Sequence, residues 1–212
     1  EKLGADVNDV RRGIGFDSRI GFQFLFPGLG YGGSCFPKDV EALVRTARAA
    51  GCEPRLLEAV QAVNRAQREW MAGLIKNHFG GKFPDPLAVW GLSFKPQTDD
   101  VREAPALDII RALIAAGAEL RAYDPVAGPN AEAALGDKVV YCDTAYEALG
   151  GAGGLIIMTE WNEFRRPNFK RMKQLMKVPL IFDGRNLYDP QTMTEQGFTY
   201  YSVGRKAVIK KQ

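Results

Sequence analysis

A chain of 212 residues can bury a sizeable core as one large domain or two small ones, and its composition is that of an ordinary globular protein. Twenty-eight Lys and Arg against 25 Asp and Glu leave a net charge of +3, which suits an anionic small molecule and is too weak to argue for nucleic acid. No apolar run reaches the roughly 18 residues of a membrane span, and three unpatterned cysteines argue against a disulfide framework and for a reducing cytoplasm.

The first stretch, EKLGADVNDVRRG, lacks the apolar core of a signal peptide and reads as the end of a helix with its exit turn, as if something preceded it. Next comes PGLGYGGSCFPKD, Pro27 to Asp39, with four glycines before Cys35. Such clusters bend backbone into unusual angles or press it against a ligand, and the freed amides can converge on an anion. The plainer alternative is a mobile turn with a buried cysteine. Asp39 can cap a helix through about Ala50, which Gly51 ends and Pro54 separates from a new one. From Arg55 to about Phe79 runs the strongest helical period in the chain, with Leu56, Val60, Val63, Trp70 and Leu74 on one face and Leu57, Met71 and Ile75 widening it. At 1.5 Å per residue this helix is about 37 Å long. Its stripe suits either a subunit contact or a core.

GGKFPDP, Gly80 to Pro86, is a linker by composition. Beyond it strands and helices alternate: LAVWGL, a helix ALDIIRALIAAG, ELRAYDP, a helix near Asn130–Leu135, KVVYC, a short helix TAYEALG, GLIIMT, a charged helix about Asn168–Met176, and VPLIFDG. Alternation of this kind predicts an α/β fold with a parallel sheet covered on both faces, and ligands beyond the carboxyl ends of its strands. Those ends carry Ser93–Lys95, Asp124, Thr159–Glu160 and Asp183–Arg185. The basic tail GRKAVIKKQ reads as disordered.

Cys35, beside glycine-freed amides and Lys38, is a candidate for a thiol of lowered pKa acting as a nucleophile. Cys52 and Cys142 lack such surroundings and read as packing residues. The sole histidine, His78, sits near a helix end and reads as a surface residue. No His, Cys and carboxylate spacing suggests a metal site, and GLGYGG neither follows a predicted strand nor opens a helix as a dinucleotide fingerprint requires. The residues alone support an anion-binding α/β protein with a candidate reactive thiol.

FLFPGLGYGGSCFPKD together with GLSFKPQTDDVREAP and IFDGRN resembles the nucleotide-sugar 6-dehydrogenases, with the agreement around Phe94–Pro105 favouring the branch that acts on UDP-glucose over the one that acts on GDP-mannose. The resemblance spans the whole chain. It implies a central region (1–80) with a long dimer-forming helix and the cysteine loop, then a Rossmann-like UDP-binding domain (81–212). The family's NAD-binding domain and its catalytic lysine and asparagine have no counterpart here. Such enzymes oxidise C6 of UDP-glucose twice to UDP-glucuronate with two NAD, through a cysteine thiohemiacetal and thioester.

By the same resemblance Cys35 is the nucleophile, and Asp39 helps activate the hydrolytic water. Arg19 reaches the sugar in the neighbouring subunit. Phe24, Leu25, Phe26, Gly28, Gly30 and Gly32 lay backbone along the substrate. Phe94 and Lys95 contact the uridine and phosphates, Arg185 binds phosphate in bidentate fashion, and Lys38 and Arg102 face NAD. Trp161 in TEW is assigned to packing. The chain by itself is expected to be inactive. The alternatives are a stand-alone nucleotide-sugar-binding or dimerising module, or part of a dehydrogenase for GDP-mannose or a UDP-N-acetyl sugar.

Overall fold

The computed structural model describes residues 1–210. The first helix, α1 (Val7–Gly15), starts where the sequence suggested that a helix ends. Asp6 is its N-cap and accepts the amide of Asn8 at 2.7 Å. An acid just ahead of a periodic run satisfies the orphan amides of a first turn, so this segment is an entry and not an exit. Helix α2 (Phe36–Ala49) begins ahead of the expected Asp39 cap, because Pro37 is tolerated in a first turn. Asp39 lies inside that turn, with its amide on the carbonyl of Cys35 at 2.9 Å. Gly51, at φ +74°, closes α2, and helix α3 (Arg55–His78) follows from Pro54.

Strands β1 (Leu87–Trp90), β2 (Leu120–Tyr123), β3 (Val140–Tyr141), β4 (Gly154–Ile157), β5 (Leu180–Asp183) and β6 (Thr199–Ser202) form one parallel sheet in the order β3-β2-β1-β4-β5-β6. Val89 of β1 lies opposite Ala122 on one side and Ile156 on the other. Strands β1, β4 and β5 are buried throughout, as their unbroken apolar runs require. One face packs Val89, Ile156 and Phe182 against α3 and α4 (Pro105–Ala115). The other packs Trp90, Ile157 and Ile181 against Phe164, Met172 and Phe198. The expected α/β architecture, a long helix followed by a Rossmann-like parallel sheet, is the one observed.

Three further expectations are refined or corrected. The apolar stripe of α3 divides: Met71, Ala72 and Ile75 are buried, whereas Leu56 is 78% and Val63 is 68% exposed. Only the C-terminal half of the helix reaches the sheet, so periodicity was right about the helix and silent about what covers it. The tail, expected to be disordered, packs back on the sheet. Val208 bridges Tyr200 with both amides bonded, and Arg205 is buried on the Ser202 hydroxyl, the Tyr188 carbonyl and the Tyr200 hydroxyl. Lys211 and Gln212 lie outside the described residues. Finally, Cys52 is exposed and not a packing residue, while Cys142 is half-buried with its thiol pKa pushed up by burial. Strand β6, α1 and two short helices, Asn162–Arg165 and Pro190–Glu195, were not foreseen.

Candidate functional site

The glycine loop lies between α3 and the strand ends, and the glycines permit that approach. A Cβ on Gly28 would stand 2.6 Å from Nη1 of Arg185, one on Gly33 would stand 2.8 Å from the Phe94 ring, and one on Gly32 would collide with the carbonyl oxygen of Glu103. The loop's amide at Gly33 donates to the Arg102 carbonyl at 3.0 Å, joining it to the segment after β1. On its other side α3 supplies polar side chains that the sequence reading passed over. Asn64 both accepts the Tyr31 amide (2.8 Å) and donates to its carbonyl (3.1 Å); Gln67 donates to the Gly28 carbonyl (2.9 Å); Arg68 donates to the Tyr31 carbonyl (2.8 Å).

The strand ends are held by buried carboxylates. Asp124, at the end of β2, accepts the amides of Leu92 and Ser93, the Ser93 hydroxyl, the Trp161 indole, and the amides of Val126 and Ala127. Trp161 therefore hydrogen-bonds as well as packs. Thr159 donates to the Ser93 carbonyl at 2.6 Å. Asp183, fully buried at the end of β5, accepts the amides of Arg185, Leu187 and Tyr188 and the Tyr200 hydroxyl. Burial pushes its pKa up against the pull of those donors. The turn it holds includes Asn186 at φ +53°, locked by reciprocal bonds with Val203 (both 2.9 Å).

A groove of about 820 Å³ gathers Phe24, Phe26, Gly28, Gly30, Gly32, Phe94 and Arg185 from the candidate residues, with Leu56, Val60 and Val63 of α3 along one wall. The Arg185 guanidinium meets both carboxylate oxygens of Glu160 at 2.7 and 2.6 Å, so its side edge is engaged and its remaining nitrogen faces Gly28. The bidentate edge expected for phosphate is thus taken by Glu160 in this structure. Leu25 is half-buried, and Phe24 is 92% exposed with φ +67°. Lys95 lies over the Phe94 ring, 5.2 Å from its centroid.

Cys35 is exposed at the N-cap of α2, where free amides and the helix dipole favour negative charge. Lys38 and Arg102 line a second cavity of about 1050 Å³ beside the loop, between α2 and α3. Arg102 is paired with Asp100 at 2.7 Å, which raises its pKa. Asp39 is exposed, 3.4 Å from Lys38. Arg19 is solvent-exposed and pairs with Asp17 at 2.6 Å, outside both cavities.

The strand order is that of doubly wound dinucleotide folds, which place an acid near the end of the second strand on the ribose hydroxyls. Here that acid is Asp124, buried and already holding six donors. The sheet therefore does not fit NAD, and Lys38 with Arg102 do not enclose a dinucleotide by themselves.

Residues 1–66 match the central domain of the UDP-glucose/GDP-mannose dehydrogenase family, and residues 88–190 match its UDP binding domain. The chain belongs to the UDP-glucose/GDP-mannose dehydrogenase family. It is 46% identical over 208 residues to a UDP-glucose 6-dehydrogenase of Pseudomonas aeruginosa, covering 95% of this chain and 46% of that protein. A UDP-glucose 6-dehydrogenase of Bacillus subtilis is 45% identical over 208 residues, covering 98% of this chain and 45% of that protein. Among solved structures, a UDP-glucose dehydrogenase from Pyrobaculum islandicum superposes with a TM-score of 0.85 at 33% identity, over 97% of this chain and 45% of that one. The chain thus spans about half the length of these family members. Among the described residues no helix is long and apolar enough to cross a membrane, and no cluster of His, Cys, Asp and Glu is arranged to hold a metal.

Proposed function

We propose that the chain is the central and UDP-binding part of a UDP-glucose 6-dehydrogenase, an oxidoreductase that makes UDP-glucuronate. The observation that supports this is one groove in which bare loop backbone, an aromatic ring and a guanidinium converge, the three things a nucleotide diphosphate needs. Phe94 packs on the uracil, Lys95 and Arg185 balance the phosphates, and the Phe24–Gly32 backbone lies along the diphosphate and sugar. Cys35 adds through its sulfur to the C6 aldehyde, giving a thiohemiacetal. Once that carbon is at the acyl level, Asp39 takes a proton from the water that releases the acid. NAD, typical of the family, would supply the oxidising power when bound; Lys38 and Arg102, which line the cavity beside the cysteine loop, are the residues of this chain that would face it.

The reading extends to the division at residues 80 and 81, to a cytoplasmic location that keeps three free thiols reduced, and to a homodimer through α3 that lets Arg19 reach the partner's sugar. Calorimetric titration with UDP and GDP tests the site. UDP should bind in the micromolar-to-millimolar range, roughly −4 to −8 kcal/mol, and more tightly than GDP. Arg185→Ala should remove about 1.5–3 kcal/mol of that, the worth of a charge-assisted hydrogen bond, whereas Cys35→Ser should leave it unchanged. Absence of UDP binding at millimolar concentration, or tighter binding of GDP, would overturn the assignment. NADH production by the chain alone would overturn the proposal that its oxidant binds elsewhere.

A further inference from the structure

Asn64, Gln67 and Arg68 stand at i, i+3 and i+4 on α3, so they share one face, and that face is turned to the glycine loop. The loop belongs to no sheet, and its backbone polar groups need partners from elsewhere. The Asn64 amide bonds both polar groups of Tyr31, as a neighbouring strand would. Gln67 takes the Gly28 carbonyl, and Arg68 takes that of Tyr31.

Arg68 does more than close one loop. Only 9% exposed, it also donates to the Glu103 carbonyl at 3.3 Å and pairs with Asp108 of α4. One planar fork thus joins the cysteine loop, the segment holding Arg102, and α4. Glu103 sits at φ +50°, a strained angle for a residue with a side chain. The guanidinium and the Gly33–Arg102 backbone bond hold that segment from two directions.

We propose that Asn64, Gln67 and Arg68 are positioning residues that fix the glycine loop, and through it the Cys35 thiol, against Phe94 and Arg185 before any ligand arrives. None of the three is bonded to the thiol; they act through Tyr31 and Gly28. What the loop then binds rests on the function proposed above, but the pinning itself does not. Loops lacking ladder bonds open at low free energy unless side chains hold them, and a preformed site avoids the ordering cost that binding would otherwise meet. A lysine at position 68 would keep the charge near Asp108 but lose the fork that reaches several carbonyls at once.

The test uses the 212-residue chain and the variants Gln67→Met, Asn64→Asp and Arg68→Lys. Hydrogen exchange is followed in peptides covering 28–35 and in β1 and β4. Alkylation of Cys35 by iodoacetamide is measured relative to Cys52, which is exposed in the same molecule. Gln67→Met and Arg68→Lys should each speed exchange in 28–35 by roughly tenfold, the worth of one buried hydrogen bond, with the strands unchanged. The Cys35:Cys52 alkylation ratio should shift, and UDP should bind more weakly. Asn64→Asp, which keeps the acceptor for the Tyr31 amide, should be milder than Arg68→Lys. If Arg68→Lys unfolds the chain, Gln67→Met decides, since it removes one bond from a half-buried side chain. Unchanged exchange and an unchanged alkylation ratio, or equal acceleration in loop and strands, would overturn the inference. Failure of the unaltered chain to bind UDP would instead count against the proposed function, and the exchange result would still decide the pinning.

Discussion

Gly32 has no room for a side chain, because an added Cβ would meet the backbone oxygen of Glu103, which cannot swing aside. Gly32→Ala should push the cysteine loop from the segment after β1, at about 1–3 kcal/mol in stability, and weaken UDP binding. Gly51→Ala is the control. Its φ of +74° makes alanine strained by roughly 1–2 kcal/mol, but open space surrounds it at the far end of α2. Both variants should melt lower, and only Gly32→Ala should lose UDP affinity; equal affinities would show that the loop contact is not part of the site. The glycines were legible as a bent loop in the sequence. Their neighbours were not, since Glu103 and Arg185 come from segments about 70 and 150 residues away in the chain.

Helix α3 performs three tasks along its length. Its C-terminal turns bury Met71 and Ile75 on the sheet, its middle holds the loop, and its N-terminal turns expose Leu56, Val60 and Val63. If that exposed stripe meets its twin, Leu56→Glu with Val63→Glu should yield a monomer by sedimentation without lowering the melting temperature; a wild-type monomer at high concentration would end the dimer proposal. At the other end His78 lies 3.0 Å from the Tyr201 hydroxyl and edge-on to Phe182. Burial lowers its pKa, so the folded state favours the neutral ring. Stability from this group is full above the unfolded value of about 6.5 and is lost as pH falls through the folded one. The melting temperature should therefore decline modestly between pH 7.5 and pH 5, and His78→Phe should flatten that decline. An identical slope in the variant would place the titration elsewhere.

Across the whole molecule, the C-terminal segment is a strap. Arg205 bonds Tyr200, whose hydroxyl bonds Asp183, which in turn holds the turn bearing Arg185. The same segment returns the Gly204 carbonyl to the start of α1, on the Val7 amide at 2.8 Å. Arg205→Met should leave the Tyr188 carbonyl and the Tyr200 hydroxyl short of a donor, at about 2–4 kcal/mol. For a chain of this size that is a drop of roughly 5–15 °C in melting temperature. UDP affinity should fall with it, although Arg205 lies outside the groove. A variant that melts as the parent does would show that the strap is not what holds the turn.

Local pattern by itself determined the long helices and the central strands: apolar runs long enough for buried strands, a 3.6-residue period over 24 residues of α3, and glycines where a chain must turn. It also placed polar groups at the strand ends, since a buried parallel sheet can present them nowhere else. Tertiary structure decided what those groups do. Asp124 and Asp183 became internal clasps and not ligand contacts because other segments delivered amides to them, and Glu160 became the partner of Arg185. The polar strip of α3 was passed over in the sequence, for nothing within the helix shows that unpaired backbone lies against it. The basic tail likewise looked disordered because its partners, Tyr188, Tyr200 and Ser202, are brought to it by the sheet. Hydrogen-bond satisfaction is a property of the assembled chain, and the site is built chiefly from that.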